Sequence, residues 1–323
     1  MTMSTHQPLN LAFLGCGFAT RLHSKTLSSF KRDVRCYYAS RNREKAIAYN
    51  NKYKGSGYFA SYADAIEASN IKVVFVVTPP THHLDLTLQA MRAGKHVIVE
   101  KPPFLRSADF DIIRQAQVET GSRVFVAENY FYKPVAIKLR DIIGAGLIGE
   151  VLFVHVNALK QQTTGNWRDD DALSGGGALF EGGIHWINFI ANLGLTVQSV
   201  CGFRPGAQNG MEKSLLVAIQ YAEGAVGALY YSWEIPSLLK GLRLSKIFGR
   251  EGSITFESNG LFILVNGVKK RVIIPKLTDI AGYKAMFRDF IRALRWGVEP
   301  RMSLELAQKD LTLVETIYQS LNH

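Results

Sequence analysis

A short apolar run, Leu9–Leu14, leads directly into Gly15-Cys16-Gly17, and the alternation of short apolar runs with amphipathic stretches continues through the first third of the chain. No other feature restricts the fold as much. Short strands separated by helix-length segments pair in parallel through crossover helices rather than as hairpins, and repetition of that unit builds a doubly wound sheet. The predicted strands are Leu9–Leu14, Val34–Ala39, Val73–Thr78, His96–Glu100 and Arg123–Ala127, with helices near Phe18–Phe30, Arg43–Tyr53, Tyr62–Ser69, His82–Ala93 and Ser107–Thr120. Ligands of such a sheet bind at the carboxyl ends of its strands, so the residues that follow each run are the candidates for chemistry.

After Glu150 the period changes. Segments alternate apolar and polar residues and are joined by turn dipeptides such as Glu223-Gly224, Asn259-Gly260 and Asn266-Gly267, the pattern of an antiparallel sheet. Strands are expected at Val151–Lys160, Val200–Arg204, Leu215–Tyr221, Ala225–Trp233, Leu242–Gly249, Ser253–Glu257, Leu261–Val265 and Lys269–Ile274. Helices are expected within Gly175–Leu193 and at Ile280–Trp296 and Leu304–Leu321. A chain of 323 residues therefore reads as an α/β protein of two domains. Residues 1–128 form an N-terminal Rossmann doubly wound parallel sheet, and residues 129–323 form a C-terminal α+β domain with a large, mostly antiparallel sheet.

Composition excludes several classes. With 47% hydrophobic and 20% charged residues there is enough apolar surface to drive ordering, and no apolar stretch approaches the length of a bilayer span. Residues 1–10 lack the features of a secretory leader, and three widely spaced cysteines make neither a disulfide framework nor a metal cluster, so a reducing cytoplasm is the expected setting and no metal is expected. The net charge of +11 is scattered, without a basic stripe interleaved with aromatics, which argues against nucleic acid and fits a surface that favours anionic small molecules.

In Leu14-Gly15-Cys16-Gly17-Phe18-Ala19-Thr20, Gly15 permits a tight turn and Gly17 lets backbone approach a pyrophosphate resting on the helix that opens at Phe18 and Ala19. The third glycine of the G-x-G-x-x-G pattern is replaced by Thr20. At the end of the second strand, where an NAD site places an acid for the ribose hydroxyls, the chain has Ser40-Arg41-Asn42-Arg43. A hydroxyl and a guanidinium suit a 2′-phosphate, so NADP is expected over NAD; the bland reading makes Arg41 and Arg43 the exposed first turn of a helix.

Further blocks carry a resemblance: Thr78-Pro79-Pro80-Thr81-His82-His83, Ala93-Gly94-Lys95-His96-Val97-Ile98-Val99-Glu100-Lys101-Pro102, Asn129-Tyr130-Phe131-Tyr132-Lys133-Pro134, Gly146-Leu147-Ile148-Gly149-Glu150-Val151 and Gly175-Gly176-Gly177-Ala178-Leu179-Phe180-Glu181-Gly182-Gly183-Ile184-His185. In this order, over nearly the whole chain, they resemble the Gfo/Idh/MocA oxidoreductases, the family of glucose-fructose oxidoreductase and inositol dehydrogenase. The resemblance implies an NAD(P)-dependent enzyme acting on CH–OH groups of a sugar, cyclitol or related polyol. It assigns cofactor contacts to Gly15, Gly17, Phe18, Ala19, Ser40, Arg41, Thr78, Pro79, His83, Glu100 and Lys101. Lys101, beside the nicotinamide, would bind or deprotonate the substrate hydroxyl, and His185 from the second domain would carry the proton with Glu181 holding or polarising its ring. Tyr130 is expected near the substrate; Trp167-Arg168 is either a rim contact of the pocket or ordinary packing.

Three positions depart from the family pattern: Glu181 replaces the commoner Asp, Asn188 stands where a second Asp often follows the histidine, and Phe131 occupies a position often held by Arg. A non-catalytic NADP-binding regulator and a glycoside hydrolase that uses the cofactor transiently share this fold and stay open as alternatives. A homodimer or homotetramer built through the C-terminal sheet is expected, because an open, alternately apolar sheet face needs a cover.

Overall fold

The computed structural model describes residues 7–162, 175–206, 210–236 and 242–321. The chain divides into two compact units, Met1–Ala127 with Met286–Glu305, and Glu128–Ala285 with Leu306–His323. In the first, strands β1 (Leu9–Leu14), β2 (Val34–Ala39), β3 (Gly57–Phe59), β4 (Val73–Val76), β5 (His96–Val99) and β6 (Val124–Val126) form one sheet in the order β3-β2-β1-β4-β5-β6, every pair parallel. The central strands read as continuous apolar runs because helices cover both faces; β4 is buried at every residue. Five strands were expected and six are present. The sixth, β3, is three residues long and takes its register from β2 through Tyr37↔Gly57, a tertiary cue that no local pattern carries.

Helices α1 (Phe18–Leu27), α2 (Arg43–Tyr53), α3 (Tyr62–Glu67), α4 (His83–Arg92) and α5 (Asp109–Thr120) make the crossovers. α1 buries Thr20, His23, Ser24 and Leu27, one face at helical spacing, and the Tyr38 hydroxyl donates to Ser24 Oγ at 3.0 Å. The Asn42 side chain accepts from Lys45 N–H at 2.8 Å and starts α2.

The second unit opens with α6 (Pro134–Gly144), a helix not expected from the sequence although Pro134 stands at its first turn and Val135, Ala136, Leu139 and Ile142 are buried along one side. Strands β7 (Val151–Leu159), β8 (Val197–Phe203), β9 (Ser214–Tyr221), β10 (Val226–Ser232), β11 (Leu244–Gly249), β12 (Gly252–Glu257), β13 (Ile263–Asn266) and β14 (Arg271–Ile273) form a sheet ordered β14-β13-β12-β11-β7-β10-β9-β8. It is antiparallel except where β10 runs parallel to β7. Helix α7 (Ile184–Ala191) packs on its inner face, where the Phe189 and Phe256 rings lie 5.9 Å apart. The outer face is apolar and exposed: Val226, Phe153 and Phe248 stand in one cross-strand row, with Tyr230, Leu244 and Leu264 exposed nearby.

Helix α8 (Tyr283–Trp296) belongs to the first unit rather than to the second, where the sequence placed it. Its apolar face decides this: Phe290 packs on Phe125 at 5.3 Å, Phe287 meets His23 edge-on, and the Arg123 guanidinium donates to the carbonyls of Ala293 and Val298. Burying each such ring is worth about 1.5–3 kcal/mol. Helix α9 (Leu304–Ser320) closes the chain and buries Ala307, Leu311, Val314 and Ile317. No described helix is long and apolar enough to cross a membrane.

Candidate functional site

The turn after β1 is built for close approach. Gly15 has φ +123°, and a Cβ there would also lie 3.0 Å from the Val77 carbonyl oxygen, so the residue that follows β4 leaves no room for a side chain. Gly17 differs: its backbone is extended, and a Cβ would meet nothing within 4 Å, so its lack of a side chain keeps open the space in front of α1. Thr20 Oγ1, in place of the third glycine, donates to the Gly15 carbonyl at 2.7 Å, and the Tyr49 hydroxyl donates to the Gly17 carbonyl at 3.0 Å. No acid stands in the first turn of α1, and Phe18 is exposed at its start, with Ala19 next. A polyanion on this helix end meets donors and no repelling charge.

At the end of β2, Ser40 is buried and accepts from Asn42 N–H, while Arg41 and Arg43 are exposed. Arg41 lies close enough to the Tyr62 hydroxyl to oppose the rise that burial gives its pKa, and Arg43 lies 5.8 Å from the centroid of the Tyr58 ring. Both guanidinium side chains are exposed at the end of β2, where their donors are open to an anion.

Past β4 and β5 the structure ties two loops together. His83 is 1% exposed; its Nδ1 is 2.9 Å from the Pro102 carbonyl and its Nε2 2.8 Å from the Thr78 carbonyl. Both ring nitrogens of His83, expected among the cofactor contacts, face backbone, and the ring buttresses the Thr78-Pro79 and Lys101-Pro102 segments. Burial holds the imidazole below the usual histidine pKa against the pull of the two carbonyls; a neutral ring donates to one of them, and protonation would add the other bond. Glu100 takes the Lys101 backbone N–H at 3.0 Å and pairs with Nε2 of the buried His23, which fixes the backbone from which the Lys101 side chain departs.

In the second unit His185 lies in the first turn of α7. Its Nδ1 is 2.7 and 2.8 Å from the two carboxylate oxygens of Glu128, whose side chain is 3% exposed. Glu128 Oε1 also accepts the Tyr130 N–H at 2.8 Å, so its position is set by the short helical turn Asn129–Tyr132. A carboxylate on Nδ1 fixes the tautomer with a proton there and leaves Nε2 as the basic nitrogen. The Tyr130 ring stacks on the imidazole at 4.4 Å and 10° and meets Trp186 edge-on.

The carboxylate on Nδ1 is Glu128, a residue additional to the Glu181 expected to hold or polarise the ring. Glu181 lies in a wide π-helical turn, Leu179–Gly183, that precedes α7, and is buried. That turn is anchored by Glu212, which accepts from Leu179 N–H and from the Tyr318 hydroxyl. A Cβ on Gly182 would lie 2.5 Å from the Tyr231 hydroxyl, so Gly182 serves close packing. Asn188 Nδ2 donates to Asp310 on α9 at 2.7 Å, and an Asp at 188 would place two buried carboxylates together. Phe131 carries the Arg140 guanidinium 4.6 Å from its ring centroid, and Arg140 donates to the Phe131 carbonyl. Trp167 and Arg168 lie outside the described residues.

Glu128 is the functional residue that sequence reasoning missed. A signal existed: it follows the last parallel strand, where an acid at a carboxyl end is a candidate for chemistry. Its partner, 57 positions on, is not discoverable from spacing.

Comparison with known proteins shows the family to which these two units belong. The family model described as the oxidoreductase family, NAD-binding Rossmann fold, matches residues 9–128, and the GFO/IDH/MocA C-terminal domain matches residues 136–255. Levoglucosan dehydrogenase of Pseudarthrobacter phenanthrenivorans is 23% identical over 288 residues, 77% of this chain and 74% of that protein. Oxidoreductase P35 of Formosa agariphila is 26% identical over 193 residues, 57% of this chain and 60% of its own, so the match spans less than two thirds of that relative. A levoglucosan dehydrogenase solved with NADH and levoglucosan superposes with a TM-score of 0.86 over 98% of each chain at 22% identity, a likeness of fold. With both family domains matched in order over an observed parallel sheet and an observed mostly antiparallel one, the chain belongs to the Gfo/Idh/MocA family of oxidoreductases.

Proposed function

We propose that this protein is an NADP-dependent oxidoreductase that interconverts a carbinol and a carbonyl carbon of a sugar, cyclitol or related polyol. The observation that carries the reading is the His185–Glu128 pair, a histidine whose tautomer is set by a buried carboxylate, in the block that also marks the family. A relative named for levoglucosan oxidation supports the substrate class. The Gly15–Ala19 turn would receive the pyrophosphate, and Ser40 with Arg41 the 2′-phosphate. Nicotinamide, when bound, supplies the hydride acceptor or donor. In the oxidative direction His185 Nε2 takes the hydroxyl proton, Glu128 stabilises the imidazolium that forms, and the Lys101 ammonium hydrogen-bonds the developing alkoxide. Self-association through the row Val226, Phe153 and Phe248 would cover the exposed sheet face.

The test is a screen of sugars, cyclitols and their keto forms with NADP and NAD, read by cofactor absorbance, beside His185→Ala and Arg41→Ala. A stoichiometric absorbance change, a fall of about 10²–10⁴-fold in kcat for His185→Ala, and about 10- to 150-fold weaker NADPH binding for Arg41→Ala are expected. Wild-type turnover in His185→Ala overturns the mechanism, and equal NADPH and NADH affinity in the parent protein overturns the cofactor assignment.

A further inference from the structure

Lys133 is a buried charged residue that the proposed mechanism does not use. It is 4% exposed, at the end of the short turn that carries Tyr130, and its Nζ lies 4.3 Å from the centroid of the Tyr130 ring and 5.8 Å from that of Trp186. The same Tyr130 ring is stacked on the His185 imidazole, and Trp186 follows His185 on α7. One aromatic ring thus serves two groups that can carry positive charge. The face of such a ring attracts cations through its quadrupole, and a cation already held there makes a second one beside the ring less favourable.

We propose that Lys133 is a positioning residue that acts through Tyr130 as the counterweight to Glu128, setting the pH at which His185 takes up its proton. The two partners pull in opposite directions. Glu128 on Nδ1 favours imidazolium; the Lys133 ammonium behind Tyr130 disfavours it. A histidine held by a buried carboxylate alone would stay protonated near neutral pH and could not accept a proton from a hydroxyl. Among the described residues, charges close to this group include Arg243, whose guanidinium lies 5.4 Å from the Trp186 centroid, and Glu257 at the end of β12, which act on Lys133 with opposite sign. Asp310 is close enough to feel the charge of Glu128, and Glu181 precedes His185 by one helical turn. Burial, aided by Arg243 and opposed by Glu257 and Glu128, lowers the Lys133 pKa to about 8, so the counterweight is charged through the range in which histidine titrates and fades above it.

The proposal rests on the reading of His185 as the proton carrier, but its test does not need turnover. The full-length protein labelled at histidine is titrated by NMR, with His185→Gln to assign the resonance. In Lys133→Met the His185 pKa should rise by about 0.5–1 unit, whereas Lys133→Arg, which keeps the charge, should stay near the parent value. In the unmodified protein the His185 resonance should show a small second step near pH 8 as Lys133 loses its proton, a measurement that survives if Lys133→Met does not fold. An unchanged or lowered His185 pKa in Lys133→Met, or the absence of the second step, overturns the proposal. Wild-type turnover by His185→Ala would instead overturn the proton-carrier reading and leave these titrations standing.

Discussion

Replacing Glu128 by Gln isolates the charge on the imidazole from the geometry that holds it. Gln keeps an oxygen able to accept the Nδ1 proton and the Tyr130 N–H, so the tautomer and the turn persist while the negative charge goes. The carboxylate oxygens lie 2.7 and 2.8 Å from Nδ1, with the two side chains 15% and 3% exposed, so little solvent screens the pair. A charge-assisted bond of this kind is worth about 1.5–3 kcal/mol, and at about 1.4 kcal/mol per pKa unit its loss lowers the His185 pKa by about 1–2 units. The sign follows from the imidazolium being the stabilised form: it becomes harder to protonate when Glu128 is neutralised. The acid limb of kcat/KM for polyol oxidation, which reports the free enzyme, should move down by about that amount. At the same time kcat at neutral pH should fall by about 10- to 100-fold, because the imidazolium formed during reaction is no longer compensated. NADPH affinity, measured by nicotinamide fluorescence, should change by less than about 3-fold. Glu128→Ala should be worse than Glu128→Gln, since the tautomer is released as well. An acid limb that stays in place or moves upward in Glu128→Gln would show that the 2.7 Å contact does not govern the proton at His185.

The two glycines of the first turn should fail in different ways. Gly15→Ala combines φ +123° with a 3.0 Å approach to Val77 O and should destabilise the fold by about 1–3 kcal/mol, seen as a lower Tm; Gly17→Ala meets no atom within 4 Å and should melt like the parent yet bind NADPH at least about 10-fold more weakly. A normal Tm for Gly15→Ala, or undiminished NADPH binding for Gly17→Ala, would contradict the assigned roles. Glu212 gives a stability test: burial raises its carboxyl pKa despite the Leu179 and Tyr318 donors, so the unfolded chain ionises first and the folded state loses stability as pH rises above the unfolded value of about 4.3. Glu212→Gln should therefore match the parent near pH 4 and gain about 2–4 °C in Tm at pH 8, and an equal difference at both pH values would refute it.

Much of the architecture was legible because it is encoded locally. Periodicity in Leu9–Leu14, Val34–Ala39 and Arg43–Tyr53 is a property of a few adjacent residues, and observed β1, β2 and α2 occupy the same bounds. Gly15 and Gly17 likewise act through their own backbone and could be read as a turn. What sequence alone does not carry is any feature whose partners are distant along the chain. Strand β3 exists because β2 offers it a ladder, and α8 joins the first unit because Phe290 finds Phe125. Asn188 makes sense as a match for Asp310, 122 positions away. The imidazole's carboxylate was sought at Glu181, four residues before His185, because spacing along one helix can be read. Glu128 reaches Nδ1 because the chain between them folds back, and the same folding lays the Tyr130 ring, with its neighbour Lys133 three residues on, against the imidazole. Residue types announce which chemistry is available, while distance and burial decide which groups share a proton, and those are set only when the core packs.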